Sequence, residues 1–348
     1  MSHDCIAARP WVEVRGVYGW HPPTAENDTS LSQRGVNAVF MSSDAITEEI
    51  AESSHAQGLR VFAEFNTMHE AGYVKDYPDA APMGPEGEVS LPPNGWQGVC
   101  PTHAGYRRWR MGRFEHVLAQ CDVDGMWLDY HHSHASWEQA EPDLPDTCFC
   151  GRCLDQFARD TGLELPQAPT RELSARLLGE HRERWVQWRC NVFTDWVREF
   201  REVVDSTRPG ALLGTFHCPW SDSDRNGALR SKLAIDLKAQ SAYVDVFSPM
   251  PYHARFGHAT DPEWISRQVS WLGRYLGIDG KPGERHRIWP IVQLSDWGEI
   301  VPAEQVPRVL DYATRRPATG VTVFAWDSLR TQPEKVAAME RAYLSMWR

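Results

Sequence analysis

The sequence predicts a single (β/α)8 barrel that spans residues 1–348. Eight short apolar or β-branched segments recur along the chain, and segments with helical spacing of apolar residues alternate with them. No internal repeat and no linker divides the 348 residues, and one barrel core of this length is common. In such barrels the carboxyl ends of the strands carry the active site.

The first four strands are predicted from short apolar runs bounded by polar residues. Residues 44–57 predict a helix, because acidic residues occupy its early turns and Gly58 follows its end. Residues 106–120 predict a second helix. The segment 67–101 has little periodicity, and it and the segment 131–153 are expected to form long loops at the barrel mouth. The predicted strands are 11–20, 33–42, 59–65 and 125–129.

The second half of the chain continues the alternation. The long amphipathic region 172–205 carries Trp and Phe residues at helical spacing, which predicts a buried stripe. The predicted strands are 211–216, 244–250, 288–294 and 320–325. The other predicted helices are 154–161, 230–239, 264–276, 306–314 and 332–347.

Strand four has the sequence Gly125-Met126-Trp127-Leu128-Asp129 and ends in a carboxylate. A continuous apolar run is typical of a strand that is buried on both faces. Such a strand would deliver Asp129 rigidly to the mouth, so Asp129 is the first candidate for a catalytic group. The alternative is an Asp that caps the next helix.

The composition narrows the range of partners. A formal net charge of −11 disfavours nucleic acid and anionic membranes, both of which attract basic surfaces. The 16 Trp residues favour a small saccharide or glycoside, because indole rings stack on sugar faces. The chain shows no secretion signal and no long apolar segment, so a cytoplasmic protein is expected. Whether it forms a homo-oligomer is left open.

Three cysteines form a C-x-C-x-x-C array after strand four, and a fourth precedes the helix before that strand. Four thiolates suffice for one tetrahedral zinc ion, and they leave no position open for water, so the zinc is expected to be structural. Reduced thiols also suit a large chain without a signal peptide. The predicted zinc ligands are Cys100, Cys148, Cys150 and Cys153.

The cysteines also carry a family resemblance over roughly residues 58–200. Val99-Cys100-Pro101, then Tyr106-Arg107 and the C-x-C-x-x-C array, resemble the zinc-cluster pattern of the family 42 β-galactosidases. The run 125–129 together with 148–157 resembles the barrel families called hypothetical glycoside hydrolases. The resemblance implies a barrel fold and a zinc cluster. It does not imply galactosidase activity, because family 42 enzymes place an Asn-Glu pair where this chain has Leu128-Asp129.

Carboxylates fall at the predicted ends of strands three, four, seven and eight, and a glycosidase needs two of them. The strand-four ending resembles fucosidase-like and α-galactosidase-like hydrolases, which implies that Asp129 is the nucleophile. Glu64 and Asp296 remain alternative acid/base residues, and either could instead bind sugar hydroxyls. The predicted substrate-binding residues are Trp20, His131, His132, His217, Tyr252, His253, Gln293, Trp297, Trp326 and Asp327.

Two other function classes stay open at this point. His132-Ser133-His134, with His217, His253 and Asp327, is similar to the metal site of amidohydrolase barrels. Those enzymes carry their His-x-His on strand one, where this chain has Val17-Tyr18-Gly19-Trp20. The other class is a barrel that binds carbohydrate without cleaving it. No glycine fingerprint for a dinucleotide is present, which disfavours a nicotinamide or flavin enzyme.

Overall fold

The computed structural model describes residues 12–20 and 30–346. Its strands form one sheet in the order β7-β6-β5-β4-β3-β2-β1-β9-β8, and every neighbouring pair is parallel. The predicted (β/α)8 fold is confirmed. The strands are β1 (Val14–Tyr18), β2 (Ala38–Ser42), β3 (Arg60–Asn66), β4 (Gly125–Asp129), β5 (Leu212–His217), β6 (Val246–Pro249), β7 (Arg287–Ile288), β8 (Ile291–Gln293) and β9 (Gly320–Phe324).

The predicted seventh strand, 288–294, is broken at Trp289-Pro290 into β7 and β8. β7 pairs with β6, whereas β8 pairs with β9. Proline has no N–H to donate to a ladder, so a strand is interrupted where it occurs. The Pro290 carbonyl still accepts the Thr322 N–H at 2.9 Å, and the Trp289 N–H donates to the Phe247 carbonyl at 3.0 Å. The two pieces therefore act as one barrel strand that closes the ring.

The helices cover the outside of this ring. The predicted helical region 172–205 divides at Gly179, whose N–H donates to the Ala175 carbonyl and ends the first helix. The predicted helix 230–239 is two short helices, and Trp347 of the predicted last helix lies outside the described residues. The helices are α1 (Glu48–Ala56), α2 (Ala71–Asp76), α3 (Ala104–Gln120), α4 (Gly151–Thr161), α5 (Thr170–Leu178), α6 (Arg182–Thr207), α7 (Ala228–Ser231), α8 (Leu237–Gln240), α9 (Trp264–Leu276), α10 (Val306–Ala313), α11 (Trp326–Leu329) and α12 (Pro333–Ser345).

Aromatic side chains fill the barrel interior below the mouth. The Trp127 ring stacks on Trp289 at 5.6 Å and 14°, and its Nε1–H donates to the Ser248 hydroxyl at 3.0 Å. A Cβ on Gly214 would lie 2.2 Å from the Trp127 indole, so only glycine leaves room for this ring. The barrel interior is consequently close-packed, and it closes the bottom of any cavity at the carboxyl ends of the strands.

The outer layer is anchored by α6. Its aromatic stripe is buried against the barrel and against α4, as the helical spacing predicts. Trp185 stacks on Phe149 of the loop that follows β4, at 5.3 Å and 17°. Within the described part of the chain, none of the helices combines the length and the apolar character that crossing a bilayer requires.

Candidate functional site

A cavity of about 270 Å³ lies at the carboxyl ends of the strands. We call it the mouth cavity. Its residues come from six strands or strand ends and from both long loops, so the convergence of parallel strands builds it. It is lined by Tyr18, Trp96, Asp129, Tyr130, Glu138, Phe216, Met250, Tyr252, Ile291, Trp297 and Phe324.

Asp129 is the last residue of β4 and is held from both sides. Its carbonyl accepts the N–H and the hydroxyl of Thr67, at 2.9 and 3.0 Å, which ties it to the end of β3. Its Oδ1 accepts the Tyr130 N–H at 2.7 Å. Tyr130 has φ of 50°, a conformation that non-glycine residues adopt rarely and at functional sites. The carboxylate is therefore presented to the cavity in one fixed orientation.

Two further carboxyl groups accompany Asp129. Glu138, from the loop after β4, lines the same cavity. Glu64 lies on β3 two residues before Asn66, which is in register with Asp129, so Glu64 is deeper in the barrel; it is only 5% exposed. The sequence analysis missed Glu138, because it lies in an aperiodic loop with several other acidic residues.

The three carboxyl groups hold their protons unusually tightly. Burial raises the pKa of Glu138 to about 8, and the nearby Asp129 charge adds to the shift, although the Arg255 cation opposes it. Burial and then the Asp129 charge also raise the pKa of Glu64. Burial raises the pKa of Asp129 as well, but the Tyr130 N–H stabilises its anion. Asp129 is thus the group best placed to be ionised while Glu138 keeps its proton.

Aromatic rings form the walls around these carboxyl groups. Trp297 contacts Tyr252 and Phe324, with ring centroids 5.8 and 5.3 Å apart. The Arg255 guanidinium lies 4.7 Å from the Trp297 ring, and its Nε–H donates to the Glu138 carbonyl at 2.9 Å. This arginine fixes the wall and the Glu138 loop together. Flat apolar walls with a few polar groups are typical of sugar-binding sites.

The structure brings only part of the predicted site into the mouth cavity. Asp129, Tyr252 and Trp297 line it, and His132 lines a smaller pocket beside it. Asp296 is elsewhere: it accepts from Lys335 Nζ at 2.7 Å and from the Val301 N–H at 2.9 Å, contacts that lower the pKa of its carboxyl group against the opposing effect of burial. The other predicted residues outside the lining are Glu64, Trp20, His131, His217, His253, Gln293, Trp326 and Asp327.

Several of these residues support the frame of the site. His131 joins β4 to α6 and β3, since its ring nitrogens contact the Phe193 carbonyl at 2.9 Å and the Thr67 hydroxyl at 3.2 Å. Gln293 accepts the Arg255 N–H at 3.1 Å. Burial lowers the pKa of His131, His132 and His217 to about 4, so these rings are neutral at pH 7. Among the described residues, no histidine group comes close enough to share a cation.

Four cysteines do come together, and we call them the thiol cluster: Cys100, Cys148, Cys150 and Cys153. All four sulfurs lie within 4.8 Å of one another, and Cys100 Sγ is 3.5 and 3.6 Å from two of them. Sulfurs bound to zinc at ~2.3 Å in a tetrahedron are about 3.8 Å apart, so the donor set fits a thiophilic metal. The seven cysteines in the described part of the chain are all free of disulfides.

The surroundings of the thiol cluster also suit a metal centre. The Thr102 hydroxyl lies 3.3 and 3.2 Å from Cys100 and Cys153 Sγ, and the Met83 N–H donates to Cys148 Sγ at 3.3 Å. Cys100 precedes α3, and Cys153 lies in the first turn of α4. The cluster consequently joins both long loops to two helices.

Comparisons with known proteins identify the fold class. No protein-family model matches the sequence, and a comparison with curated proteins finds no match. The barrel fold is shared with solved structures of glycoside hydrolases. The glycoside hydrolase domain of PgaB (BpsB) from Bordetella bronchiseptica is similar with a TM-score of 0.70 at 14% identity, over 96% of this chain and 99% of that one.

Two further solved structures share the barrel. The β-galactosidase from the haloarchaeon Halorubrum lacusprofundi has a TM-score of 0.64 at 13% identity, over 97% of this chain and 58% of that one. The α-L-fucosidase isoenzyme 2 from Paenibacillus thiaminolyticus has a TM-score of 0.58 at 13% identity, over 95% of this chain and 49% of that one. This chain thus spans about half of the length of each enzyme.

Proposed function

We propose that this protein is a glycoside hydrolase that cleaves a glycosidic bond in the mouth cavity. One observation carries the proposal: Asp129 and Glu138 face the same aromatic-walled cavity at the carboxyl ends of the strands. Glycosidic cleavage needs one carboxylic acid and one carboxylate on opposite sides of the bond. The pKa of Glu138 is raised to about 8 and that of Asp129 to about 7, where the Tyr130 N–H stabilises the anion, and this order favours Glu138 as the acid and Asp129 as the carboxylate.

The proposed reaction follows from these roles. The Glu138 carboxylic acid protonates the leaving oxygen as the glycosidic bond breaks, and the Asp129 carboxylate attacks the anomeric carbon. A water molecule then attacks the anomeric carbon, passes a proton to the Glu138 carboxylate and releases the Asp129 carboxylate. Both side chains return to their starting states. Glu64, deeper in the barrel than Asp129, is proposed as a positioning residue: of the two neighbouring carboxyl groups it holds a proton more tightly, which leaves Asp129 as the group that ionises.

We further propose that the thiol cluster binds one structural zinc ion. The four thiolates would complete its coordination, so the ion would stabilise the loops that carry Glu138 and Trp96 and take no part in the reaction.

The test of the proposed function is a panel of aryl glycosides with neutral sugars of both anomers. We expect turnover of at least one member, and we expect Asp129→Asn to lower kcat/KM by about 10³-fold or more with an unchanged melting temperature. Asp296→Asn is the matched control, because its carboxylate contacts Lys335 and not the cavity. It should retain activity within about tenfold.

Two results would contradict the assignment. Full activity of Asp129→Asn would remove Asp129 from the reaction. Tight sugar binding by the wild type without turnover of any glycoside would favour the barrel that binds carbohydrate and does not cleave it.

A further inference from the structure

We propose that His69 forms a separate subsite that binds one hydroxyl group of the sugar in the mouth cavity. The inference rests on the proposed function and names a specificity contact for it. A small pocket of about 10 Å³ adjoins the mouth cavity, and the two share Trp96, Tyr130 and Glu138 in their linings. His69 belongs to the small pocket alone. A sugar held against the shared residues would therefore direct a substituent toward His69.

His69 lacks the hydrogen bonds that its neighbours make. Its side chain is buried, yet neither Nδ1 nor Nε2 has a hydrogen-bond partner within residues 12–20 and 30–346. His132, beside it, accepts from Trp137 Nε1 at 2.9 Å and contacts the Ser133 carbonyl at 2.7 Å. His134 accepts the Gly98 N–H at 3.0 Å and contacts the Leu91 carbonyl at 2.9 Å. Because buried polar atoms are normally paired, the His69 ring has capacity for a ligand.

The His69 ring is also held in place before any ligand arrives. The Asn66 side chain accepts the His69 N–H at 3.1 Å and donates to its carbonyl at 2.7 Å. His69 forms an antiparallel bridge with Gly98. Its ring lies 5.9 Å from Trp96 and 5.0 Å from Tyr130, centroid to centroid. A ligand group would thus meet a donor or acceptor whose position is already fixed.

The chemistry of the ring selects the ligand group. Burial and the neighbouring His132 and His134 keep the pKa of His69 far below its usual range, so the ring is neutral and offers one donor and one acceptor. A carboxylate only accepts and an ammonium group only donates, whereas a hydroxyl does both and matches either ring nitrogen. The volume admits a group about the size of one water molecule. A hydroxyl therefore fits, and an acetamido group does not.

The experiment is a cycle of protein and substrate changes. The best aryl glycoside of the panel is compared with its monodeoxy analogues, in the wild type, His69→Phe and His69→Gln. At one position of the sugar ring, loss of the hydroxyl should lower kcat/KM of the wild type by about 10–100-fold. The same loss should change kcat/KM of His69→Phe less than threefold. His69→Gln, which keeps a donor and an acceptor, should restore part of the discrimination. His134→Gln is the control, and it should affect all analogues equally.

The failures are distinguishable. If kcat/KM for every deoxy analogue falls by the same factor in wild type and in His69→Phe, the His69 subsite is wrong. Turnover that depends on Asp129 would still support the proposed glycosidase. If the wild type hydrolyses no glycoside, the proposed function fails and the subsite fails with it. If His69→Phe does not fold, His69→Leu, which also lacks a donor and an acceptor, takes its place, and equal losses in wild type and His69→Leu overturn the subsite in the same way.

Discussion

The mouth cavity and the thiol cluster both bury ionisable groups, but they do so in opposite ways. In the mouth cavity and just below it, burial raises the pKa of three carboxyl groups, and the nearby Arg255 contacts the Trp297 ring and donates to the Glu138 carbonyl. In the thiol cluster, four sulfurs converge so closely that a single cation could contact all of them. The carboxyl groups of the mouth region thus resist ionisation, whereas a cation bound in the thiol cluster would offset the charge of its thiolates.

The comparison indicates which region serves reactivity and which serves stability. Groups held with shifted pKa values in a cavity are available to exchange protons with a ligand. Four protein ligands that complete the coordination of a metal ion leave no position on the ion for a substrate. Such an ion contributes to folding instead. Changes in the two regions should therefore separate activity from stability.

The largest expected effect is on activity, from Glu138→Gln. The amide cannot protonate a leaving oxygen, so kcat/KM should fall by about 10²–10⁴-fold for substrates with poor leaving groups. The loss should be much smaller for aryl glycosides with acidic phenols, because these need little protonation. Steady-state kinetics over a series of leaving groups measures the difference. Glu141→Gln, an exposed residue of the same loop, is the control; equal losses for all leaving groups would refute the acid role.

The next largest effect should be on stability, from Cys153→Ser or from metal removal by a chelator. We expect one zinc ion per chain in the reduced wild type by metal analysis, and none in the variant. The melting temperature should fall by about 5–10 °C, as expected for a loss of several kcal/mol in a chain of this size. Cys121→Ser, a buried thiol outside the thiol cluster, should keep the metal. Wild-type protein without metal at full stability would contradict the prediction.

The smallest effect should be a pH dependence of stability through Glu64. Its carboxyl group has a pKa of about 8 in the folded protein and 4.5 in the unfolded chain. The folded state therefore binds this proton more tightly. The contribution of this proton to the free energy of unfolding is fully present below pH 4.5. It is lost as the pH rises to about 8, at up to ~1.4 kcal/mol per pH unit.

The variant Glu64→Gln removes this titration. It should match the wild type in urea unfolding at pH 4.5 and be the more stable protein at pH 8.5, by at most about 5 kcal/mol. Glu52→Gln, exposed on α1, should show no such crossover. A variant less stable than the wild type at pH 8.5 would show that Glu64 is ionised and stabilised in the fold.

The barrel and the position of Asp129 could be predicted because both follow from local patterns. An apolar run that ends in Asp predicts a strand whose last residue faces the mouth, and β4 ends at Asp129. The cysteine spacing likewise predicted a cluster whose sulfurs meet in the structure. Asp129 ends a regular strand, and the cysteines are spaced along the chain as metal ligands are, so both can be recognised from the local sequence.

Glu138 and Asp296 show where such patterns stop being informative. Asp296 follows a predicted strand, but only the fold places Lys335 of the last helix beside it. Glu138 reaches the cavity because Arg255, distant in sequence, holds its backbone. Contacts between residues far apart in the chain leave no periodicity, so the second carboxyl group could not be selected from the sequence. Trp137, a buried indole next to Glu138, is a local signal that this part of the loop turns inward.

The close fit of the Trp127 indole against Gly214 has an evolutionary consequence. The two residues face each other on adjacent strands, and a single methyl group at position 214 would overlap the indole. Neither position can therefore change freely while the other is kept. In divergent homologues a larger residue at 214 should occur together with a smaller one at 127, so this pair should be among the positions that vary jointly across an alignment.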